Sequence, residues 1–210
     1  MVDIDDSPSN RSAHSGSRHQ ARTEAILRAA LEELAESGYS ALSFEAVAAR
    51  VGIAKTTVYR RYPTKTDLVR AALRQFVEES FGAPPDTGSL RGDLIALGRS
   101  ITQFASSMIG QGLFRTRLLD RVAPEVDEIG KDFERENDQK HRIIGSRAVR
   151  RGELDNDAEI ARVMEVLSGW IICSLALKRQ SVSELEIART VDLLLNGVST
   201  TGRSKTLVRT

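Results

Sequence analysis

Between Val51 and Leu68 the chain reads VGIAKTTVYRRYPTKTDL, a concentration of groups that donate hydrogen bonds to anions. Lys55, Arg60, Arg61 and Lys65 are cations, Thr56, Thr57 and Tyr59 carry hydroxyls, and the flanking acids are as distant as Glu45 and Asp67. A surface that needs only solubility mixes acids among its bases, whereas this one suits a polyanion. Lysine can donate to O6 and N7 of guanine, and threonine can bond a base edge or pack its methyl group on thymine. Tyr59 as a hydroxyl donor, and Lys65 at a helix start whose free N–H groups also attract anions, suit phosphates. Arg60 and Arg61 suit either role. Taken singly, each cation is more often a solvated charge on a short amphipathic helix than a ligand contact.

Positioning these groups requires a small helical scaffold. Ile26, Leu27, Ala30, Leu31 and Leu34 form an apolar stripe at helical spacing, with Gly38 placed to end the helix. Ser43 is a suitable N-cap for a short helix from Phe44 to Arg50, and its hydroxyl could instead meet a phosphate. Gly52 offers the positive φ of a sharp turn, and a helix from Lys55 to Tyr62 follows, stopped by Pro63. Thr64 and Asp67 resemble a capping pair for a helix to about Phe81. Two short helices joined by a glycine turn describe a helix-turn-helix, whose second helix enters the DNA major groove by its N-terminal residues. That places Ala54, Lys55, Thr56 and Thr57 at base edges, with Val58 and Tyr62 facing inward. Arg18 and Arg22 are further phosphate or minor-groove candidates, or simply part of a mobile arm.

The whole chain of 210 residues carries a net charge of only +1, but residues 11–75 hold eleven Lys/Arg against six Asp/Glu. A basic head on a nearly neutral body fits a protein that meets DNA at one end. The single cysteine, Cys173, excludes an internal disulfide, and no Cys/His cluster has zinc-ligand spacing, so no metal or cofactor is expected. No nucleophile–base arrangement or phosphate-cradling glycine loop suggests an enzyme. The polar N-terminus lacks a signal-peptide core, and no unbroken apolar run reaches the roughly 20 residues of a membrane span, so a soluble, cytoplasmic protein without membrane contact is expected.

Residues 1–20 read as a flexible arm, 21–66 as the helix-turn-helix domain, 67–200 as a larger helical domain and 201–210 as a flexible tail. The GAPPDTGS segment, Gly82 to Ser89, interrupts periodicity. Beyond it, helices are expected at about 90–110, 113–121, 125–151, 157–179 and 183–197, the last opened by a capping box from Ser183 to Glu186. The fold class is therefore all-α, a three-helix helix-turn-helix bundle followed by a larger helical domain.

Residues 21–72 also resemble the N-terminal domain of the tetracycline-repressor (TetR) family. The resemblance runs through ILRAALEELAESGY and then LSFEAVAARVGIAKTTVYRRYPTKTDL. These match the family's Ile-x-x-Ala-Ala helix, Gly-Tyr corner, Thr/Ser-x-x-x-Ile/Val-Ala segment, glycine turn, Tyr-x-x-Phe/Tyr and closing Lys-x-x-Leu. Tyr62 stands where Phe is commoner and Ala54 where Ser is frequent. The resemblance implies a homodimeric repressor that binds a palindromic operator and a small-molecule effector. An activator or an architectural DNA binder with the same head is an open alternative.

In the larger domain, Ile160, Met164, Leu167, Ile171 and Leu175 recur at helical spacing, as do Ile187, Val191 and Leu195 in the final helix. These broad faces are expected to pair with their copies in a four-helix dimer interface; otherwise they fill the core of one protomer. Ile101, Phe104, Ala105, Met108, Phe114, Leu118 and Trp170 are candidates for an apolar or aromatic effector pocket, although for each of them ordinary core is the commoner role. Arg115, Arg117 or Arg121 could meet an anionic group of the effector. His141, among charged neighbours, reads as solvated, and Cys173 as a small hydrophobe rather than a redox sensor.

Overall fold

The computed structural model describes residues 9–119 and 124–201, and they form two helical units, one ending at Gln75 and one starting at Phe76. The first unit comprises α1 (Ser9–Ala41), α2 (Phe44–Val51), α3 (Lys55–Tyr59) and the opening turns of α4 (Lys65–Phe81). Ile26, Val47, Val58 and Leu68, one from each helix, are fully buried together with Leu34, Ala48 and Val69. Removing each such aliphatic side chain from water is worth about 1.5–3 kcal/mol, which binds the short α2 and α3 to the long α1. The burial of Leu68, Val69 and Ala72 explains why the first unit takes in residues beyond Thr66, where the sequence suggested a boundary.

Local rules set most helix ends. At Gly38 the backbone leaves helical geometry with φ 77° and ψ 170°, at the place where the sequence ends the first helix. Ser43 is extended (φ −133°, ψ 149°) and its Oγ accepts the Ala46 N–H at 3.1 Å. Thr64 and Asp67 form a reciprocal box: Thr64 donates to Asp67 Oδ2 from N and from Oγ1, and Asp67 N donates back to Thr64 Oγ1 at 3.1 Å. Two boundaries in the first unit differ from expectation, and in the second the break expected near 110–113 falls at Ser107. Helix α1 begins at Ser9, inside the supposed arm, because proline is missing from residues 9–20 and each residue added to an established helix gains a hydrogen bond. Helix α3 ends at Tyr59 rather than Tyr62, because the Val58 carbonyl accepts from both Arg61 N and Tyr62 N, tightening the turn ahead of Pro63. Residues 1–8 and 202–210, the ends of the expected arm and tail, lie outside the described residues.

The second unit holds the rest of α4 with α5 (Leu90–Ser106), α6 (Met108–Leu119), α7 (Pro124–Arg150), α8 (Ile160–Ile172) and α9 (Glu184–Thr201). Its core joins Leu94, Ile101, Ile144, Ala148, Met164, Leu167, Ile171, Ile187 and Val191. At Gly98 a Cβ would stand 2.6 Å from Ile187 Cγ2, so glycine permits α5 and α9 to approach this closely. Arg91 Nε reinforces the same helix pair at 2.6 Å from Asp192 Oδ1 and holds that carboxyl below its usual range. The capping box expected at Ser183 forms, with Ser183 N donating to Glu186 Oε2 at 2.8 Å.

A π-helical turn, Cys173–Leu177, continues α8. Together, Ile160–Leu177 has a mean hydropathy of 1.7 and is long enough by length and composition to cross a membrane, but Arg162 and Glu165 interrupt it, so it is not an unbroken apolar run. Its stripe of Ile160, Val163, Met164, Leu167 and Ile171 is packed in the protein core.

Candidate nucleic-acid interface

Gly52 closes α2 in the left-handed region (φ 69°, ψ 37°), while Gly52 N donates to Ala49 O and Ile53 N to Ala48 O at 3.0 Å. These two bonds reverse the chain tightly, as in a Schellman motif. The next residue, Ala54, caps α3 in extended geometry, and Thr57 N donates to its carbonyl at 2.9 Å. The fully buried Val58 anchors α3, which leaves Lys55, Thr56, Tyr59 and Arg60 exposed and Thr57 half-buried. This exposed face carries Lys55, Thr56, Tyr59 and Arg60 of the expected contact residues.

Several of these side chains have specific partners. Lys55 Nζ lies 3.1 Å from Glu45 Oε1, both side chains being exposed. The Tyr59 ring stacks on Phe44, with centroids 4.2 Å apart and planes at 22°. Arg61 bonds Thr23 on α1, and the half-buried Tyr62 has its phenol raised above the usual value by burial, opposed by Arg61. Lys65 points back to α1, donating to the carbonyls of Tyr39 and Ser40 at 3.1 Å each, over the Tyr39 ring. Tyr39 in turn bonds Thr66 through its hydroxyl at 2.9 Å. Lys65 and Arg61 thus join helices of the head, while Ser43 uses its hydroxyl as the cap.

Sequence reasoning missed the contributions of Glu45 and Phe44, and the cluster around Arg50. Arg50, in the last turn of α2, bonds Glu33 at 3.0 Å and also meets Glu36 and Glu32. The i, i+3 spacing of Glu33 and Glu36 on α1 was a readable signal for one acidic face, but its cationic partner lies far along the chain.

In the second unit, Phe104 gathers an aromatic cluster with Phe76 at 5.3 Å, Phe81 at 5.2 Å and Phe114 at 5.9 Å between centroids. Two pocket candidates, Phe104 and Phe114, therefore meet. Ile101 and Ala105 are core residues, Trp170 packs against that core, and Met108 is 60% exposed, away from the role expected of it. Leu118, Arg115, Arg117 and Arg121 lie outside the residues whose side chains are described.

Of the residues expected at a dimer interface, Ile160, Met164, Leu167, Ile171, Ile187 and Val191 are buried within the protomer itself. Their area is already removed from water, so they offer none to a second copy; Leu175 and Leu195 are half-buried against the same core. Val166, Leu177, Leu185 and Leu193 are exposed outside that core. His141 is buried rather than solvated, and burial lowers its pKa against a smaller opposing effect of Asp138. Cys173 is half-buried with a free thiol. A polar network also escaped notice: fully buried Asp93 accepts from Thr87 N at 2.6 Å and Arg151 at 3.0 Å, and Arg147 donates to the carbonyls of Pro84 and Pro85. It fastens the Gly82–Ser89 segment to the end of α7.

A helix-turn-helix with a basic, hydroxyl-bearing second helix, in a chain carrying a separate helical unit, defines a two-domain DNA-binding protein. Residues 26–72 match the family described as bacterial regulatory proteins, tetR family, and residues 84–194 match the tetracyclin repressor-like C-terminal domain. The chain is 31% identical over 162 residues to the HTH-type transcriptional regulator AqdR of Rhodococcus erythropolis, covering 75% of this chain and 78% of that one. It is 34% identical over 170 residues to the DNA-binding transcriptional repressor TetR of Mycobacteroides abscessus, covering 76% and 85%. Among solved structures, GusR of Salmonella enterica shares the fold with a TM-score of 0.68 at 18% identity, covering 85% of this chain and 95% of that one. The chain belongs to the TetR family of DNA-binding transcriptional regulators, and is not an enzyme.

Proposed function

We propose that the protein is a homodimeric repressor that occupies a palindromic operator in the cytoplasm and leaves it when a small apolar or aromatic effector enters the helical domain. The observation that carries this reading is the large aliphatic side chains that α8 and α9 leave outside the core: Val166 on α8, Leu177 in the π-helical turn that continues it, and Leu185 and Leu193 on α9 are exposed, Leu193 at 73%. Large aliphatic side chains on two neighbouring helices favour a two-fold partner surface made with the same helices of a second copy. A dimer sets two α3 helices about 34–36 Å apart for successive turns of DNA, so a modest rotation of the heads weakens binding at both half-sites.

In this reading Lys55, Thr56 and Thr57 read base edges from the N-terminus of α3, and Tyr59 and Arg60 contact phosphates. The cluster of Phe76, Phe81, Phe104 and Phe114 is the surface offered to an effector. Its rings come from α4, α5 and α6, so a ligand that separates them changes the packing of the C-terminal end of α4.

Selection of sites from randomised DNA by the purified protein, at a fixed salt concentration, tests the proposal. Recovery of an inverted repeat with half-sites about one helical turn apart is the expected result. Recovery of a single half-site, or of DNA without a shared motif, would reject the dimeric operator reader.

A further inference from the structure

The contact between Lys55 and Glu45 places a donor and an acceptor side by side at the start of the groove-facing helix. Lys55 is the first residue of α3, Glu45 lies in the first turn of α2, and Nζ and Oε1 are 3.1 Å apart. In solvent such an exposed pair is held weakly, and Glu45 is also favoured by its place in the first turn of α2, so the contact leaves both side chains available to a ligand. An acid here opposes the approach of phosphates and lowers affinity for DNA in general. Beside Lys55 it offers DNA an acceptor next to a donor, a pairing that suits a ligand edge with the complementary order.

A C·G base pair supplies one. Its major-groove edge presents guanine N7 and O6 as acceptors and, next to them, the N4 amino group of cytosine as a donor. The O6 and N4 atoms are themselves hydrogen-bonded across the pair, at the usual N–H···O separation of about 2.9–3.0 Å. The Nζ–Oε1 separation nearly equals that distance, so ammonium can lie against O6 while carboxylate lies against N4. Lysine has three N–H donors and a carboxylate two oxygens, leaving capacity for guanine and cytosine after the mutual contact is made. An A·T pair alternates acceptor, donor and acceptor, and leaves thymine O4 facing the carboxylate. The Glu45 carboxyl is held below its usual range by a backbone hydrogen bond and by Lys55, so it is an anionic acceptor at neutral pH.

We infer that Glu45 and Lys55 act as one reading unit for a single C·G base pair in each half-site, Lys55 taking the guanine and Glu45 the cytosine. This rests on the proposed placement of α3 in the major groove. Glu45 is thereby a specificity-determining residue: it sacrifices general affinity and rejects sites that lack the cytosine amino group.

The experiment is parallel site selection, followed by competition binding on the selected site and its single-base-pair variants, with the native protein and the Glu45→Gln, Lys55→Met and double variants. The native protein should require C·G at one position. Glu45→Gln should lower discrimination there about tenfold, admit A·T because a glutamine amide suits adenine, and leave other positions unchanged. Because the pair acts as a unit, the double variant should lose little more discrimination than either single one. Circular dichroism melting should place all variants near the native midpoint, since both side chains are exposed. Tighter binding of every sequence by one common factor in Glu45→Gln would overturn the inference, as would losses at two separate base pairs. If the native protein selects no motif, the sequence-reading role of α3 fails first and this assignment falls with it; a native motif unchanged in Glu45→Gln rejects the assignment alone.

Discussion

The ring of Tyr59 lies nearly flat on that of Phe44, with centroids 4.2 Å apart, so the first residue of α2 supports the last residue of α3. Phe44 is buried, whereas Tyr59 is 44% exposed. The helix-turn-helix is therefore braced by an aromatic stack as well as by the Gly52 turn.

Replacing Phe44 with alanine removes both its burial and the stack, and should cost about 3 kcal/mol of stability. Tyr59→Phe retains the stack and should leave urea unfolding nearly unchanged while weakening DNA binding. Equal melting behaviour of Phe44→Ala and the native protein would show that the stack contributes nothing to the head.

Lys65 bonds the carbonyls at the end of α1, where a cation also faces favourable helix polarity. Lys65→Ala should cost about 1–2 kcal/mol in thermal or urea unfolding. The slope of log Kobs against log salt should stay unchanged, since the ammonium is engaged within the head. A slope reduced by about 0.9 would instead assign Lys65 a phosphate contact.

Asp93 is fully buried and accepts from Thr87 and Arg151, so it holds the segment between α4 and α5. Asp93→Ala leaves buried donors without their acceptor and should destabilise the second unit by about 3 kcal/mol. Urea titration at unchanged m-value is the measurement. Arg151→Ala should destabilise in the same direction, since it removes a partner from the buried carboxylate.

His141 has a folded-state pKa lowered mainly by burial, so the unfolded chain binds its proton more readily than the folded one. Stability from this group is complete above its unfolded value, near pH 6.5, and falls as the pH drops from there toward the folded value. The melting temperature should decline on acidification through this window, and His141→Phe should flatten the decline. The same decline in the variant would assign the proton uptake to another group.

Leu193 is 73% exposed on α9, beside the face that fills the core. Leu193→Glu should leave the protomer folded by circular dichroism but shift the sedimenting species at micromolar concentration from dimer to monomer. A dimer that survives this variant together with Leu185→Glu would move the partner surface elsewhere.

What could be read along the chain was whatever depends on neighbours a few residues apart. The cap at Ser43, the positive φ at Gly52 and the boxes at Thr64–Asp67 and Ser183–Glu186 each close within one helical turn, so residue type and spacing suffice. The all-α architecture and the helix-turn-helix follow from the same local rules and from apolar stripes at helical period. A stripe, however, reports only that a face is to be buried, not against what. The residues from Ile160 to Ile171 were expected to pair with a second copy, and three-dimensional packing against α5, α7 and α9 placed them in the protomer core instead. For the same reason the targets of Lys65, Arg61 and Lys55 were illegible: a flexible charged side chain bonds whichever group folding brings near, and Tyr39, Thr23 and Glu45 are distant in sequence. His141 lies between Lys140 and Arg142 in the chain, and Asp93 between Gly92 and Leu94; in both cases the surrounding helices exclude water from a polar side chain. Local chemistry determined the elements and the reading head; long-range packing decided which faces meet and which charges remain available to a ligand.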